Sequence, residues 1–177
     1  MSKRGWMISV CALLMAGPAE SEDIYARVGS WEISAQPASH QCLMIHSYFK
    51  EEGKKTDDLT VLYDADKEGV LLIWSNDWMT YLPTKGELEL GLAFRKGVSV
   101  DQSWGRRTLH YDKVGNRYLF TRAFKNAEDA HRILRDLASN EDIGLFLGPA
   151  LLSSLPLKAS DAVGKLRECA LNGGRAQ

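Results

Sequence analysis

Residues 87–95 read ELELGLAFR, and their apolar and polar side chains alternate more clearly than anywhere else in the chain. Leu88, Leu90, Leu92 and Phe94 fall on one side of an extended segment. Successive side chains of a strand point to opposite faces, so a period of two indicates a half-buried β-strand. The segment therefore predicts an antiparallel sheet with one face towards a core and the other towards solvent.

Similar segments lie on both sides of this one. Turn signals recur every eight to twelve residues, which is the spacing of an antiparallel sandwich or barrel. We therefore expect about eight strands in a sandwich or partly closed barrel, the other seven lying near residues 31–35, 41–49, 59–63, 70–75, 98–104, 108–111 and 117–124.

In the last third of the chain, the spacing of apolar residues changes from that of strands to that of helices. Asn126 is a suitable N-cap for a helix over residues 127–139, whose apolar residues recur at helical spacing. Short apolar strands are expected near residues 143–147 and 153–157, and Ser160 precedes a second amphipathic helix. The predicted fold class is therefore α+β and β-rich, with two helices in the C-terminal third.

Length and composition limit the function. The chain has 177 residues, of which 45% are hydrophobic and 25% charged, and its formal net charge is −1. These values suit one globular domain. A net charge near zero argues against nucleic acid as a partner, because nucleic-acid-binding surfaces are basic.

Residues 1–19 have the pattern of a secretory signal peptide. Lys3 and Arg4 precede an apolar run of about ten residues, and Gly17 and Ala19 supply small residues for cleavage before Glu20. A buried helix, or a lipoprotein with Cys11 as the lipidated residue, is the alternative interpretation. Cleavage leaves a single exported domain, residues 20–177, with no further apolar stretch of transmembrane length, so we expect a periplasmic or secreted protein without a membrane anchor.

Two cysteines, Cys42 and Cys169, remain after residues 1–19 are removed. Exported proteins fold in an oxidising compartment, so we expect a disulfide that joins an early strand to the last helix. Two separate buried thiols are the alternative.

Sequence motifs of known chemistry are absent. The chain lacks G-x-G-x-x-G, the P-loop, H-E-x-x-H and G-x-S-x-G, and its four histidines are scattered, so we expect neither a metal nor a cofactor and no catalytic residue can be named. The remaining candidates for binding a ligand or partner are aromatic and cationic, namely Trp78, Tyr81, Trp104, Arg106 and His110. The same aromatic rings could instead fill the core.

Several short segments resemble those of known exported proteins. They are VGSWEI at 28–33, CLM at 42–44, NDW at 76–78, LPLKASDA at 155–162 and LREC at 166–169. On these residues the chain resembles small exported proteins of α-proteobacteria without assigned function, and it is distantly similar to the invasion-associated locus B group. The resemblance implies export, a β-rich fold and a disulfide, and it supplies no catalytic residues.

These observations favour a non-enzymatic exported protein that binds a protein or a small ligand of the envelope. A small hydrolase with a site built from His110 or His46 and loop acids is one alternative, and it requires a concave pocket. A structural envelope component is another, and it requires a broad exposed apolar patch.

Overall fold

The computed structural model describes residues 24–35, 40–50 and 55–173, so the expected signal peptide lies outside the described residues. Eleven strands and two helices follow one another along the chain. They are β1 (Ile24–Val28), β2 (Trp31–Ala35), β3 (Gln41–Lys50), β4 (Lys55–Asp64), β5 (Gly69–Asn76), β6 (Lys85–Lys96), β7 (Ser99–Asp101), β8 (Arg106–Val114), β9 (Arg117–Phe124), α1 (Ala127–Ser139), β10 (Asp142–Leu147), β11 (Ala150–Pro156) and α2 (Ser160–Leu171).

All strands belong to one antiparallel sheet. Their order is β1, β2, β3, β4, β5, β9, β8, β6, β10, β11, and the short β7 pairs with β6. The sheet is not closed, so β1 and β11 are its edges within the described residues. The face that carries Leu90, Leu92 and Phe94 lies towards the core and is called the inner face below. The opposite face is called the outer face.

The sheet folds over so that its two ends meet across the core. Ser153 on β11 donates its hydroxyl to Asp57 on β4 over 3.0 Å. The Trp31 indole on β2 donates to the carbonyl of Leu157, just after β11, over 2.9 Å. These bonds join strands that are far apart in the sheet, so the arrangement is sandwich-like.

The two helices cover the inner face. Asn126 caps α1, because its side-chain oxygen accepts the backbone N–H of Asp129. The buried stripe of α1 packs on β5, β6 and β9, and α2 packs on β1 to β4. No helix among the described residues is long and apolar enough to cross a membrane.

The predicted β-rich α+β class, the antiparallel sheet and both C-terminal helices are confirmed. The strand number differs slightly, since the sheet has eleven strands where the sequence predicts about eight and two further short ones near residues 143–147 and 153–157. The segment 24–28 lacks a clear period because its side chains are only partly buried at a sheet edge. The segment 98–104, expected as one strand, contains only the three-residue β7, because Gly105 at a φ of +56° turns the chain.

Candidate functional site

The predicted disulfide between Cys42 and Cys169 is present. Both residues are fully buried, and their Cα atoms lie 6.1 Å apart. Cys42 points to the inner face of β3 and Cys169 lies on the buried face of α2. The bond therefore fixes the last helix to the sheet across 127 residues of sequence.

Trp78 and Tyr81 lie in the loop between β5 and β6 and have different environments. Trp78 is half-buried and donates its indole N–H to Asp57 Oδ1 over 2.9 Å. Trp74 donates to the same oxygen, also over 2.9 Å, and the two indole rings lie 6.2 Å apart. Tyr81 is 67% exposed. The Trp78 side chain thus provides a hydrogen-bond donor to a buried carboxylate, while the Tyr81 side chain is exposed to solvent.

Trp104 is buried and connects the turn before β8 to helix α1. Its indole N–H donates to Asp136 over 2.8 Å, and the Arg132 guanidinium lies 4.3 Å from the ring centre. Its ring also packs edge-on against Phe124, with the ring centres 5.2 Å apart. These contacts fix a loop to a helix.

His110 lies on the outer face of β8 and is exposed. Its Nδ1 is 3.1 Å from a carboxylate oxygen of Glu87 on the neighbouring strand. Arg106 begins β8 and is also exposed. The five predicted binding residues therefore occupy separate places: Trp78 and Tyr81 in one loop, Trp104 under α1, and Arg106 and His110 at different points of β8.

His46, the other histidine of the hydrolase alternative, lies on the inner face of β3 near the sheet edge. Its Nδ1 is 3.0 Å from Ser30 Oγ, and its ring stacks on Tyr48 with the ring centres 4.0 Å apart. Burial lowers the pKa of His46, although the negative charge of Asp58 opposes the shift. Within the described ranges no carboxylate lies within 4 Å of the ring, and no group of three or more metal-binding side chains is present.

A cleft of about 480 Å³ lies on the outer face, between two loops. Gly91 and Ala93 of β6 form its floor. The β7–β8 turn forms one wall with Gln102, Gly105 and Arg106, and the β10–β11 turn forms the other with Phe146, Gly148 and Pro149. We call this the outer cleft. A smaller cavity of about 190 Å³ adjoins it beyond Phe146, lined by residues that include Val100, Asp142, Leu151 and Ser154.

Small residues on the outer face make room for the outer cleft. In the register of β6 and β10, Gly91 lies opposite Phe146 and Ala93 opposite Gly144. A Cβ atom on Gly144 would lie 2.9 Å from the Phe146 ring, so this ring occupies the space that a side chain at position 144 would need. Glycine within a strand marks this kind of close approach.

The charge around the outer cleft is positive on one side. Within the described chain, neither Arg106 nor Arg107 forms an ion pair with a carboxylate. By contrast, Arg95 beside the smaller cavity is bound to Asp142. Arg106 therefore presents an available guanidinium in the outer cleft, which Phe146 also lines.

Sequence reasoning identified Arg106 but grouped it with the wrong neighbours in space. The sequence pattern does not distinguish Phe146, Gly91 and Gly144, because a short apolar strand near residues 143–147 gives no indication of the strand with which it pairs. The two strand glycines were the available signal, since an isolated glycine in a strand indicates a close approach. The register of β6 with β10 places Gly91 against the Cβ and the carbonyl oxygen of Phe146, whereas the Phe146 ring lies against Gly144 of its own strand.

Comparisons with known proteins supply no ligand for the outer cleft. Comparisons with protein-family models, with curated proteins and with solved structures found no match to this chain. The resemblance to small exported α-proteobacterial proteins and to the invasion-associated locus B group stays a prediction from the residues quoted above.

Proposed function

We propose that this chain is an exported, non-enzymatic binding protein whose outer cleft holds an extended segment of a partner protein. The observation that carries the proposal is the placement of Arg106, with no carboxylate partner in the described chain, beside Phe146 above a floor of Gly91 and Ala93. A cleft of this size is within the range of binding pockets, which combine apolar walls with a few polar groups.

The charge and the shape of the outer cleft are complementary to a segment that carries both an acidic and an apolar side chain. A carboxylate placed against Arg106 would form a charge-assisted and potentially bidentate pair. An apolar side chain of the same segment would enter the smaller cavity between Val100, Phe146 and Leu151. Val98, Val100 and Leu151 are all more than half exposed, which gives the segment an apolar surface on which to lie.

Export is part of the proposal and has two supports. The buried disulfide suits an oxidising compartment, where such bonds form and persist. Residues 1–19 have the order of charge, apolar run and small residues that signal peptides share. Both observations support a periplasmic or secreted location.

Peptide selection tests the proposed binding. A random peptide library would be selected on the full chain, expressed for export and purified in its oxidised form. We expect the selected peptides to combine an acidic residue with a large apolar residue. Arg106→Glu should weaken the affinity for these peptides at least tenfold, because it replaces the attraction between Arg106 and the acidic residue by repulsion.

Arg135→Glu is the matched control, since Arg135 is an exposed arginine on α1 away from the outer cleft. This variant should bind the same peptides within about twofold of the unmodified chain, as expected for a distant surface charge. Selected peptides without acidic residues, or peptides that bind Arg106→Glu as well as the unmodified chain, would contradict the proposal.

A hydrolase is the second candidate, because Ser30 Oγ and His46 Nδ1 lie at hydrogen-bond distance. The pair lacks a carboxylate that would orient the histidine among the described residues. Binding therefore has the stronger structural support.

A further inference from the structure

Two residues with polar side chains line the outer cleft, and both belong to the same wall. Gln102 directly follows β7, and Arg106 is the first residue of β8. The floor and the facing wall consist of glycine, alanine, leucine, phenylalanine and proline residues, whose side chains contain no polar atoms. Arg106 already has a role in the proposed function, as the group that pairs with an acidic side chain. The role of Gln102 is still open.

The Gln102 side chain is exposed and has no hydrogen-bond partner within the described part of the chain. By contrast, the side-chain amide of Gln41 donates to Asp64 over 2.7 Å. A side-chain amide contains two N–H donors and a carbonyl oxygen that accepts hydrogen bonds. Gln102 therefore presents an unused donor and an unused acceptor beside the outer cleft.

The backbone that carries Gln102 is held in place by hydrogen bonds. The Gln102 carbonyl oxygen accepts the N–H of Gly105 over 2.9 Å, and the Gly105 carbonyl oxygen accepts the N–H of Leu92 over 3.3 Å. Trp104, within the same turn, is bound through its indole to Asp136 of α1. Binding at this wall therefore costs little ordering of the turn, which favours affinity. Because these carbonyl groups are already bonded, the polar side chains are the groups that a ligand meets.

We propose that Gln102 recognises a backbone peptide group of the bound segment, through one hydrogen bond in each direction. The assignment rests on the proposed function and names the group that distinguishes a peptide from a small acid in the outer cleft. A peptide group has one N–H and one C=O, which are complementary to the C=O and NH₂ of a side-chain amide. Arg106 pairs with an acidic side chain of the segment, and Gln102 holds the main chain beside it. A small carboxylic acid without an amide engages Arg106 alone.

Ester replacement in the ligand tests the proposal. A peptide obtained by the selection described above would be synthesised as a series in which one backbone amide at a time is replaced by an ester, which lacks the N–H donor. The affinity of each member for the oxidised full chain would be measured by titration calorimetry. We expect at least one ester to weaken binding about three- to tenfold, the effect of one lost hydrogen bond.

A variant of Gln102 assigns the lost bond to this side chain. Gln102→Met has a similar length but no polar atoms, so it should weaken the all-amide peptide about three- to tenfold. The sensitive ester should then weaken binding to Gln102→Met by less than about twofold, because the bond that it removes is already absent. Asn116→Met is the matched control, since Asn116 is an exposed amide in the β8–β9 turn away from the outer cleft. This control should bind every member of the series as the unmodified chain does.

The outcomes separate this role of Gln102 from the proposed function itself. If every ester has the same effect on the unmodified chain and on Gln102→Met, Gln102 does not recognise the backbone, although Arg106→Glu can still weaken the same peptides. Succinate that binds as tightly as the selected peptide would also overturn the proposal, because it would show a site for small acids. A selection that yields no acidic peptide would contradict the proposed function and the role of Gln102 together.

Discussion

Ser153 of β11 donates a hydrogen bond to Asp57 of β4, although 96 residues separate them and five strands of the sheet lie between their own. Asp57 is fully buried and accepts two further bonds, from the indoles of Trp74 and Trp78. A buried carboxylate is tolerated only when such donors surround it. The Asp57 carboxylate thus joins β4, the β5–β6 loop and the edge strand β11 at one point.

Replacing Asp57 by alanine should destabilise the fold strongly. Two indole N–H groups and the Ser153 hydroxyl would lose their acceptor inside the protein, and each buried unsatisfied donor costs about 1–3 kcal/mol. We expect the free energy of unfolding in urea to fall by about 3 kcal/mol or more. Asp112→Ala, at an exposed position of β8, should change it by less than about 0.5 kcal/mol. Equal effects of both substitutions would show that the Asp57 cluster does not hold the sheet ends together.

Loss of the Cys42–Cys169 bond should also lower stability, through the unfolded state. The bond closes a loop of 127 residues, and chain-entropy arguments assign on the order of 4–5 kcal/mol to a loop of that length. We expect a double Cys→Ala variant to unfold at a markedly lower urea concentration than the oxidised chain. Reducing agent should then have no effect on the variant. Two free thiols in protein purified from an oxidising compartment, measured by alkylation and mass, would contradict the bond itself.

Most strands and both helices could be predicted from the sequence because each of them carries its own period, which β1 lacks. Residues 87–95 alternate, and the stripe of Ala130, Ile133, Leu134 and Leu137 indicates α1 directly. The prediction that Cys42 pairs with Cys169 needed only the expectation of export and the two cysteines that remain when residues 1–19 are removed. Local sequence pattern and composition are therefore sufficient to predict these elements and the disulfide.

The candidate site could not be predicted, because it depends on pairing between distant strands. Gly91 and Phe146 are 55 residues apart and become neighbours only through the β6–β10 register. In the sequence, Trp78 and Trp104 are equally compatible with an exposed aromatic site. In the structure, the carboxylates of Asp57 and Asp136 accept hydrogen bonds from their indole N–H groups. No local period distinguishes an indole bonded to a buried carboxylate from one that faces solvent.

Acid should destabilise the protein partly through Asp64. Burial raises the pKa of this carboxyl, but hydrogen bonds from Lys67 and Gln41 outweigh burial and hold it below the ordinary value. A folded pKa below the unfolded value of about 3.9 stabilises the fold above that pH, and the contribution is lost as pH falls through the folded pKa. We expect Asp64→Asn to lower the free energy of unfolding at pH 6. The difference in this free energy between the variant and the unmodified chain should become smaller by pH 2.5. Asp112→Asn is the control and should leave the pH profile unchanged.

Ser30 and His46 provide the test that separates binding from hydrolysis. Burial keeps the pKa of His46 below its ordinary value, so the ring is neutral at pH 7.5 and could in principle accept a proton from Ser30. Its ring nevertheless stacks on Tyr48, and no carboxylate among the described residues orients it as in a serine hydrolase. We therefore expect a fluorophosphonate probe to label the oxidised chain no more than it labels Ser30→Ala, measured by intact mass. Stoichiometric labelling that Ser30→Ala abolishes would favour the hydrolase over the binding protein.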